Sequence, residues 1–575
     1  MTGTAGAVEP AQDELAVAAT DRVPWTAADW ACLAIVAVAL LLPVWGLLHY
    51  QGPPMEEGFM LTFPERILRG DYPHRDFLHL YGPGSLWVLA AVYKVFGVDL
   101  TVERTVGLLQ HALVAYGLFA VLRPWGRRIA TAGAVVSVVV LIGPLGLSAM
   151  AWNGALALGV WGVAVGGWAV RSTDERRARR LALGSGLLFA GALLYRPDMV
   201  LAVGLAFVAL VLALASDRRR PMVGGLAGGL LLYVPHLLLA GPGAAFRGMF
   251  LEPVFELRSG RSLPVPPSWG ETDGFLQRAG EIRTTGWPFP MLAVPHQIFL
   301  WFVLVPLSCA LVVVVGWRLR RAEAGSVRAT SFWPAALFGA ALVQQAFQRP
   351  DTAHLSWVTG ITFPLCIAAL SWLVARRWPR LDDGRAQLVG VAAVAAVLLV
   401  VIPFYPVRTY VDLVGQTFGH NRFGYPVTHD GRTFYFGSRE GAADAQAVVD
   451  TLAEESRPGQ RLVVGTSDLS RTNYSDAFFY YLFPELVPGT RYIEMDPVLA
   501  DGDGSALPDE LRRNDWLVLS SAWKDWTEPN ESANGRSQAA NKVVAAEYCP
   551  VRTTPTFSLY RHRSGGAPCP PPVRP

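Results

Sequence analysis

Up to about residue 406 the chain is a succession of apolar runs, and beyond it the text becomes ordinary soluble protein. A helix crosses the hydrocarbon of a bilayer with roughly 20 apolar residues. With no water to satisfy the backbone there, only helices and closed barrels can span it. Runs of suitable length occupy 28–48, 103–122, 129–147, 151–170, 181–195, 199–215, 222–240, 296–316, 330–347, 354–375 and 386–406. The fold class expected is a polytopic α-helical membrane protein of about 10–12 transmembrane helices with a C-terminal extracytoplasmic α/β domain. The first run, Trp30 to Leu48, reads as a retained span, because the residues before it are acidic on balance and no small-x-small cleavage site follows. Ser85–Phe96 is too short to cross alone and carries Lys94, so it reads as a half-span or interfacial helix.

Basic loops set the direction of the spans. One cluster holds Arg171, Arg176, Arg177, Arg179 and Arg180, and a second holds Arg218, Arg219 and Arg220. A third holds Arg318, Arg320, Arg321 and Arg328, and a fourth Arg376, Arg377, Arg380 and Arg385. Successive clusters are two spans apart, so all fall on one side, which the positive-inside rule makes cytoplasmic. The expected plan is a cytoplasmic tail over 1–27, a membrane domain over 28–406 with outward loops 49–84 and 241–295, and an extracytoplasmic domain over 407–575 in a multi-pass cytoplasmic-membrane protein. Charged residues are 17% of the chain, against about 25% in soluble proteins. A net charge of +3 without a basic tail or RNA-binding motif sets nucleic acid aside as a partner.

In the soluble half, Arg461–Gly465, Asp515–Ser520 and Thr556–Arg561 read as strands, and Ala442–Glu455 and Ser475–Leu482 as helices. It carries no phosphate-binding glycine loop, metal-spaced Cys/His set or Gly-x-Ser-x-Gly. Its expected role is acceptor recognition or shielding of a membrane-face site. Cys549 and Cys569 can pair if this half faces an oxidising compartment, though spacing alone leaves that open.

The first outward loop carries the most chemistry. Glu56 and Glu57 emerge soon after the first span, and Gly70-Asp-Tyr-Pro-His-Arg-Asp-Phe77 and Tyr81-Gly-Pro-Gly84 follow. Between them, apolar residues from Phe59 to Leu68 interleave with Glu65, Arg66 and Arg69, the pattern of a helix lying in the membrane interface. Carboxylates at a membrane face serve as general bases or hold a divalent cation, so Glu56, Glu57 and Asp76 are the catalytic candidates; ordinary solvated loop charges are the bland alternative. The triplet Arg-Pro-Asp occurs twice at outward helix ends, as Arg196–Asp198 and as Arg349–Asp351 followed by His354. Ionisable residues at membrane depth are functional candidates, and an Arg–Asp helix cap is the alternative. Arg258 and Arg261 lie in the Pro-rich loop 252–270, which reads equally as a substrate gate and as a flexible loop. Trp30, Trp125, Trp152, Trp333 and Trp357, at helix ends, read as an interfacial belt.

The order of these pieces resembles the GT-C superfamily of polytopic glycosyltransferases, nearest the protein mannosyltransferase and aminoarabinose transferase types. The pieces are Glu56-Glu57-Gly58, Gly70-Asp71-Tyr72-Pro73, Asp76-Phe77, Gly82-Pro83 and Phe96-Gly97, with Arg104 where the family often has an arginine opening the next helix. The resemblance covers roughly residues 28–150, and it is the order of the short motifs that is specific. It implies a sugar donor on a polyprenyl phosphate, transfer on the outer face with inversion, a carboxylate base in the first loop, and an extracytoplasmic glycan, lipid or protein acceptor. It places His74, Arg75, Tyr81, Arg104, Arg196, Asp198, Arg349, Asp351 and His354 among the residues binding donor phosphate or substrate. Two departures stand out. The first-loop acid, usually Asp, is here Glu56, and where a second acid often follows, this chain reads Ala151-Trp-Asn153. The competing functions are a transporter or flippase of lipid-linked sugars, which should show inverted repeats and midplane charges, and an inactive envelope-assembly scaffold. The Arg-, Ala-, Gly- and Val-rich composition suggests a GC-rich bacterial genome and hence cell-wall synthesis.

Overall fold

The computed structural model describes residues 26–266, 287–420, 422–563 and 569. Residues 1–25 of the expected tail and 267–286 of the loop 241–295 lie outside the described residues. Among the described residues, eight helices are long and apolar enough to cross a membrane, which makes this a multi-pass membrane protein. They are Ala27–Leu48, Leu100–Trp125, Arg127–Leu145, Ala151–Arg171, Ser216–Ala240, Val294–Ala322, Thr352–Arg377 and Asp383–Val401. The other expected spans fall on helices that are shorter or begin with charged turns. The run 181–195 belongs to Glu175–Tyr195 and 199–215 to Pro197–Ala213, while 330–347 is divided into Val327–Ala341 and Val343–Gln348.

The arginine clusters gather at one end of the bundle. Arg171 donates to Ser331 Oγ at 2.7 Å and Arg218 to the Ser172 carbonyl at 2.9 Å, while Arg328 lies 5.5 Å from the Trp125 ring centroid and Gln387, just after the fourth cluster, donates to the Trp125 carbonyl at 3.3 Å. Residues 49–99 sit at the opposite end. Gly84–Phe96 lies there without crossing: Gly82 N–H, just before it, donates to the Tyr195 carbonyl at 3.2 Å, and Tyr93, near its end, donates to the Met60 carbonyl at 3.2 Å. Leu100 N–H, opening the next helix, donates to the Tyr481 hydroxyl of the C-terminal domain at 3.4 Å. Residues 84–122 therefore cross once.

Two expectations are corrected. The helix Pro54–Leu68 does not float in the interface. It is buried beneath the C-terminal domain, sharing a core of Met55, Phe59 and Phe63 with Phe434 and Phe478. A Cβ at Gly58 would stand 2.5 Å from the Phe478 nitrogen, so only glycine permits this approach. Its apolar residues run all round the helix because protein covers most of its sides. The tryptophan belt also fails for Trp125, Trp152 and Trp357, which are buried. Trp152 stacks on Trp357 with ring centroids 4.8 Å apart.

The C-terminal domain holds a five-stranded mixed sheet of order β4–β3–β5–β7–β6. Its strands are β3 (Arg461–Thr466), β4 (Val487–Pro488), β5 (Trp516–Ser520), β6 (Tyr548–Thr553) and β7 (Phe557–His562). β3 runs parallel to β4 and β5, and β7 antiparallel to β5 and β6. A separate hairpin pairs β1 (Tyr425–His429) with β2 (Arg432–Phe436) across Asp430-Gly431, both at positive φ as a tight primed turn requires. A Cys549–Cys569 disulfide ties the end of the chain to β6. The domain docks on the end of the bundle that holds residues 49–99: Leu78 N–H donates to the Arg491 carbonyl at 3.0 Å, and Arg432 pairs with Glu65 at 2.9 Å.

Candidate active site

The adjacent glutamates have different fates because consecutive helical residues point about 100° apart. Glu57 turns inward to Arg104, at most 1% of either side chain being exposed. Arg104 Nε and Nη2 donate to the two Glu57 oxygens at 2.8 Å each. Its other donors meet the carbonyls of Leu47, Leu48 and Tyr50 at 2.8, 3.0 and 2.9 Å. Glu57 and Arg104 thus form a saturated clasp between the first span, the helix Pro54–Leu68 and the next crossing. A Cβ at Gly52 would fall 2.1 Å from a Glu57 oxygen, so the chain there must be glycine.

Glu56 turns to the C-terminal domain. Tyr474 donates its hydroxyl to Glu56 Oε2 at 2.9 Å. Burial pushes this carboxyl up, opposed by that hydrogen bond and by the charges of Arg261 and Arg349. The C-terminal domain then brings further acids to the same place. Arg261 donates to Asp496 Oδ1 at 2.8 Å, and Arg349 pairs with Glu528. Glu494, buried beside Asp496 and within the field of Glu56, is held well above the usual carboxylate range by burial and by those like charges. Among the described residues, Glu494 Oε1 and Asp496 Oδ2 are buried oxygens without a hydrogen-bond partner.

The two Arg-Pro-Asp triplets meet at this end of the bundle and share a local geometry. In each, the arginine caps a helix in extended conformation and binds the aspartate two residues on, Arg196 to Asp198 at 2.7 Å and Arg349 to Asp351 at 2.7 Å. Gln345 Nε2 joins them by donating to Asp198 Oδ2 at 3.0 Å. Arg196 lies over the rings of Tyr81 and Trp152, 4.0 and 4.4 Å from their centroids. Trp152 stacks on Trp357, whose ring meets His354 at 4.7 Å. Asp351 accepts from His354 N–H at 2.9 Å and so caps the helix Thr352–Arg377. Burial raises the Asp351 carboxyl, but His354 and Arg349 more than offset that and hold it below the usual range.

The remaining first-loop candidates stand apart from Glu56. Asp76 is engaged in its own turn, accepting from Tyr72 N–H at 2.6 Å and from Arg75 Nη2 at 2.8 Å. Burial raises it, but these partners prevail and lower it. His74, at φ 70°, has Nδ1 2.9 Å from His236 Nε2 and Nε2 3.1 Å from the Tyr81 carbonyl. Burial, with His236 adding to it, depresses His74 to about 3 and keeps its ring neutral. Sequence reasoning missed Tyr474, Glu494, Asp496 and Glu528. The alternation Tyr492-Ile-Glu494-Met-Asp496 is the one signal that could have found two of them. Among the described residues no three His, Cys, Asp or Glu side chains converge as metal ligands do.

Fold and site together define a multi-pass membrane protein in which a half-buried carboxylate and paired arginines meet beneath an α/β domain. No protein-family model and no curated protein matches the sequence. Among solved structures, the chain is similar to ArnT from Cupriavidus metallidurans bound to undecaprenyl phosphate, at 16% identity and a TM-score of 0.49, over 94% of this chain and 100% of that one. It is also similar to the Archaeoglobus fulgidus oligosaccharyltransferase in complex with zinc and sulfate, at 12% identity and a TM-score of 0.46, over 92% and 73% of the two chains. A third likeness, to the arabinosyltransferase EmbB from Mycobacterium smegmatis, has 14% identity and a TM-score of 0.33 and spans 41% of that chain.

Proposed function

We propose that this chain is a GT-C-type glycosyltransferase that moves a sugar from a polyprenyl phosphate to an extracytoplasmic acceptor, with Glu56 as the general base. The observation that carries this reading is a half-buried carboxylate, hydrogen-bonded to Tyr474 and within the field of two arginines, at a bundle end covered by a soluble domain. Glu56 takes the proton of an acceptor hydroxyl, and the freed oxygen attacks the anomeric carbon. The bond from that carbon to the phosphate oxygen breaks with its electron pair, so polyprenyl phosphate leaves and the anomeric centre inverts. Arg261 and Arg349 stabilise the charge that develops on the leaving phosphate. Arg196, framed by Tyr81 and Trp152, provides an aromatic and cationic wall for the donor.

Of the three catalytic candidates, Glu57 and Asp76 take positioning roles, one holding the clasp to Arg104 and the other the turn at Tyr72. No step is assigned to a divalent cation. The site faces the extracytoplasmic side of a cytoplasmic membrane. Two features support that side: the arginine clusters at the opposite end, and the Cys549–Cys569 disulfide, which persists in oxidising compartments.

The test is incubation of the full chain in lipid nanodiscs with a panel of radiolabelled polyprenyl-phosphate sugars and a membrane extract as acceptor. Transfer by the wild type and its loss in Glu56→Gln is the expected result. Full activity of that variant removes the proposed base, and absence of turnover across the panel removes the transferase reading.

A further inference from the structure

A cavity of about 500 Å³ opens between the C-terminal domain and the π-helix Arg247–Glu256. π-Helices are rare and concentrate at functional sites. One wall presents Arg247, Glu252 and Glu256, and the other Arg491, Tyr492 and Asp503. The walls are held firmly. A Cβ at Gly248 would stand 2.4 Å from the His74 ring, so the π-helix rests directly on the first loop. Leu78, from the same loop, lines the cavity and is bonded through its N–H to the Arg491 carbonyl at 3.0 Å.

The lining selects its ligand by charge. Two arginines stand among three carboxylates, so a phosphate or other anion gains nothing here. Arg247 is already paired with Glu256 at 2.8 Å and Glu252 at 3.2 Å. Arg491 lines the opposite wall within the field of Glu252. A cleft that mixes donors and acceptors beside an aromatic ring suits a neutral polyhydroxylated ligand, whose hydroxyls both donate and accept.

Both walls also lead to the site described above. The π-helix runs on through Arg258–Arg261, and the other wall continues from Tyr492 to Asp496, so they converge on the Arg261–Asp496 ion pair near Glu56. The second wall turns through Met495 and Val498 at φ 50° and 73°. A positive φ at a β-branched residue is strained and persists where the surroundings impose it. The turn allows Tyr492 and Val498 to line the cleft while Asp496 pairs with Arg261.

We infer that the cleft between Arg247–Glu256 and residues 491–506 binds a neutral saccharide and presents its terminal hydroxyl to Glu56 as the acceptor. The acceptor part rests on the transferase reading; saccharide binding does not. Purified full chain in nanodiscs, without donor, is titrated with mannotriose, arabinotriose and inorganic phosphate by saturation-transfer NMR. The same titrations are run on Arg491→Gln, which removes a donor, and on Asp503→Trp, which fills the cleft from an exposed position. Expected is binding of a trisaccharide but not of phosphate, weakened at least about tenfold in both variants, as for loss of a hydrogen bond from a charged group. In transfer assays the same variants raise the acceptor KM and leave the donor KM unchanged. Trisaccharide binding that both variants preserve overturns the assignment, as does binding of phosphate alone. If the wild type transfers sugar but binds no trisaccharide, the cleft assignment falls and the transferase reading stands. If it binds a trisaccharide and transfers nothing, the transferase reading falls and saccharide binding stands.

Discussion

Glu57→Gln tests whether two neighbouring carboxylates divide structure from chemistry as their surroundings require. The substitution keeps the shape of the side chain and removes its charge. Arg104 retains its bonds to three backbone carbonyls but loses its bidentate carboxylate partner, and the new amide nitrogen faces guanidinium donors. Removing one partner of a buried ion pair costs about 3 to 5 kcal/mol, because the remaining charge is left uncompensated. Glu56→Gln is expected to do the opposite. Ionised Glu56 is disfavoured by burial, so a neutral isostere leaves stability unchanged or slightly raised while transfer stops. Thermal melting of the detergent-solubilised protein, followed by fluorescence-detected size exclusion, separates the two. The division of roles fails if Glu57→Gln melts like the wild type yet transfers nothing, or if Glu56→Gln is the destabilised variant.

Three further outcomes follow from groups outside the spans. Because burial raises Glu56 and the base is its carboxylate, kcat/KM should fall on acidification through a pKa above the ordinary glutamate value. Arg349→Gln should move that limb to higher pH, and a limb at the ordinary value or below would contradict the assignment. Asp476 is raised by burial to about 6 from the usual 3.8, so the folded state holds its proton more tightly than the unfolded one. Its contribution is present below pH 4 and lost as pH rises through about 6, on the order of 2 to 3 kcal/mol. Asp476→Asn should flatten the melting temperature against pH over that window, and an unchanged slope would count against it. Reducing Cys549–Cys569, which closes a loop of 20 residues, should destabilise the C-terminal domain by about 3 kcal/mol. A melting curve unaffected by dithiothreitol would show that the disulfide adds nothing.

What the sequence disclosed was what local physics determines. The apolar runs marked the bundle because hydrocarbon thickness fixes their length. The Arg-Pro-Asp triplets were legible because each arginine meets the aspartate two residues away. The strands at 461–466 and 516–520 were legible as apolar runs, whereas Pro426 and Pro550 interrupt the signal of β1 and β6. Adjacent glutamates could not be told apart, since the clasp to Glu57 comes from Arg104, 47 residues on. The acids on Arg261 and Arg349 arrive from 235 and 179 residues away, a distance only the docking of the C-terminal domain closes. Trp152 and Trp357 sit at helix ends, as belt residues do, and only their stacking on each other distinguishes them.

The helix that carries Asp351 and His354 at its end, Thr352–Arg377, has 83% of its apolar stretch enclosed by protein. Ser216–Ala240 and Asp383–Val401 have only 22% enclosed and therefore meet lipid on most sides. A mismatch between bilayer thickness and hydrophobic length is absorbed by tilting helices that lipid surrounds, while a helix held on all sides keeps its angle. The peripheral helices thus act as a suspension and the central one as a fixed mast. Rates measured in vesicles of short- and long-chain lipids should accordingly change little, and a steep dependence on chain length would mean that the mast tilts with the rest.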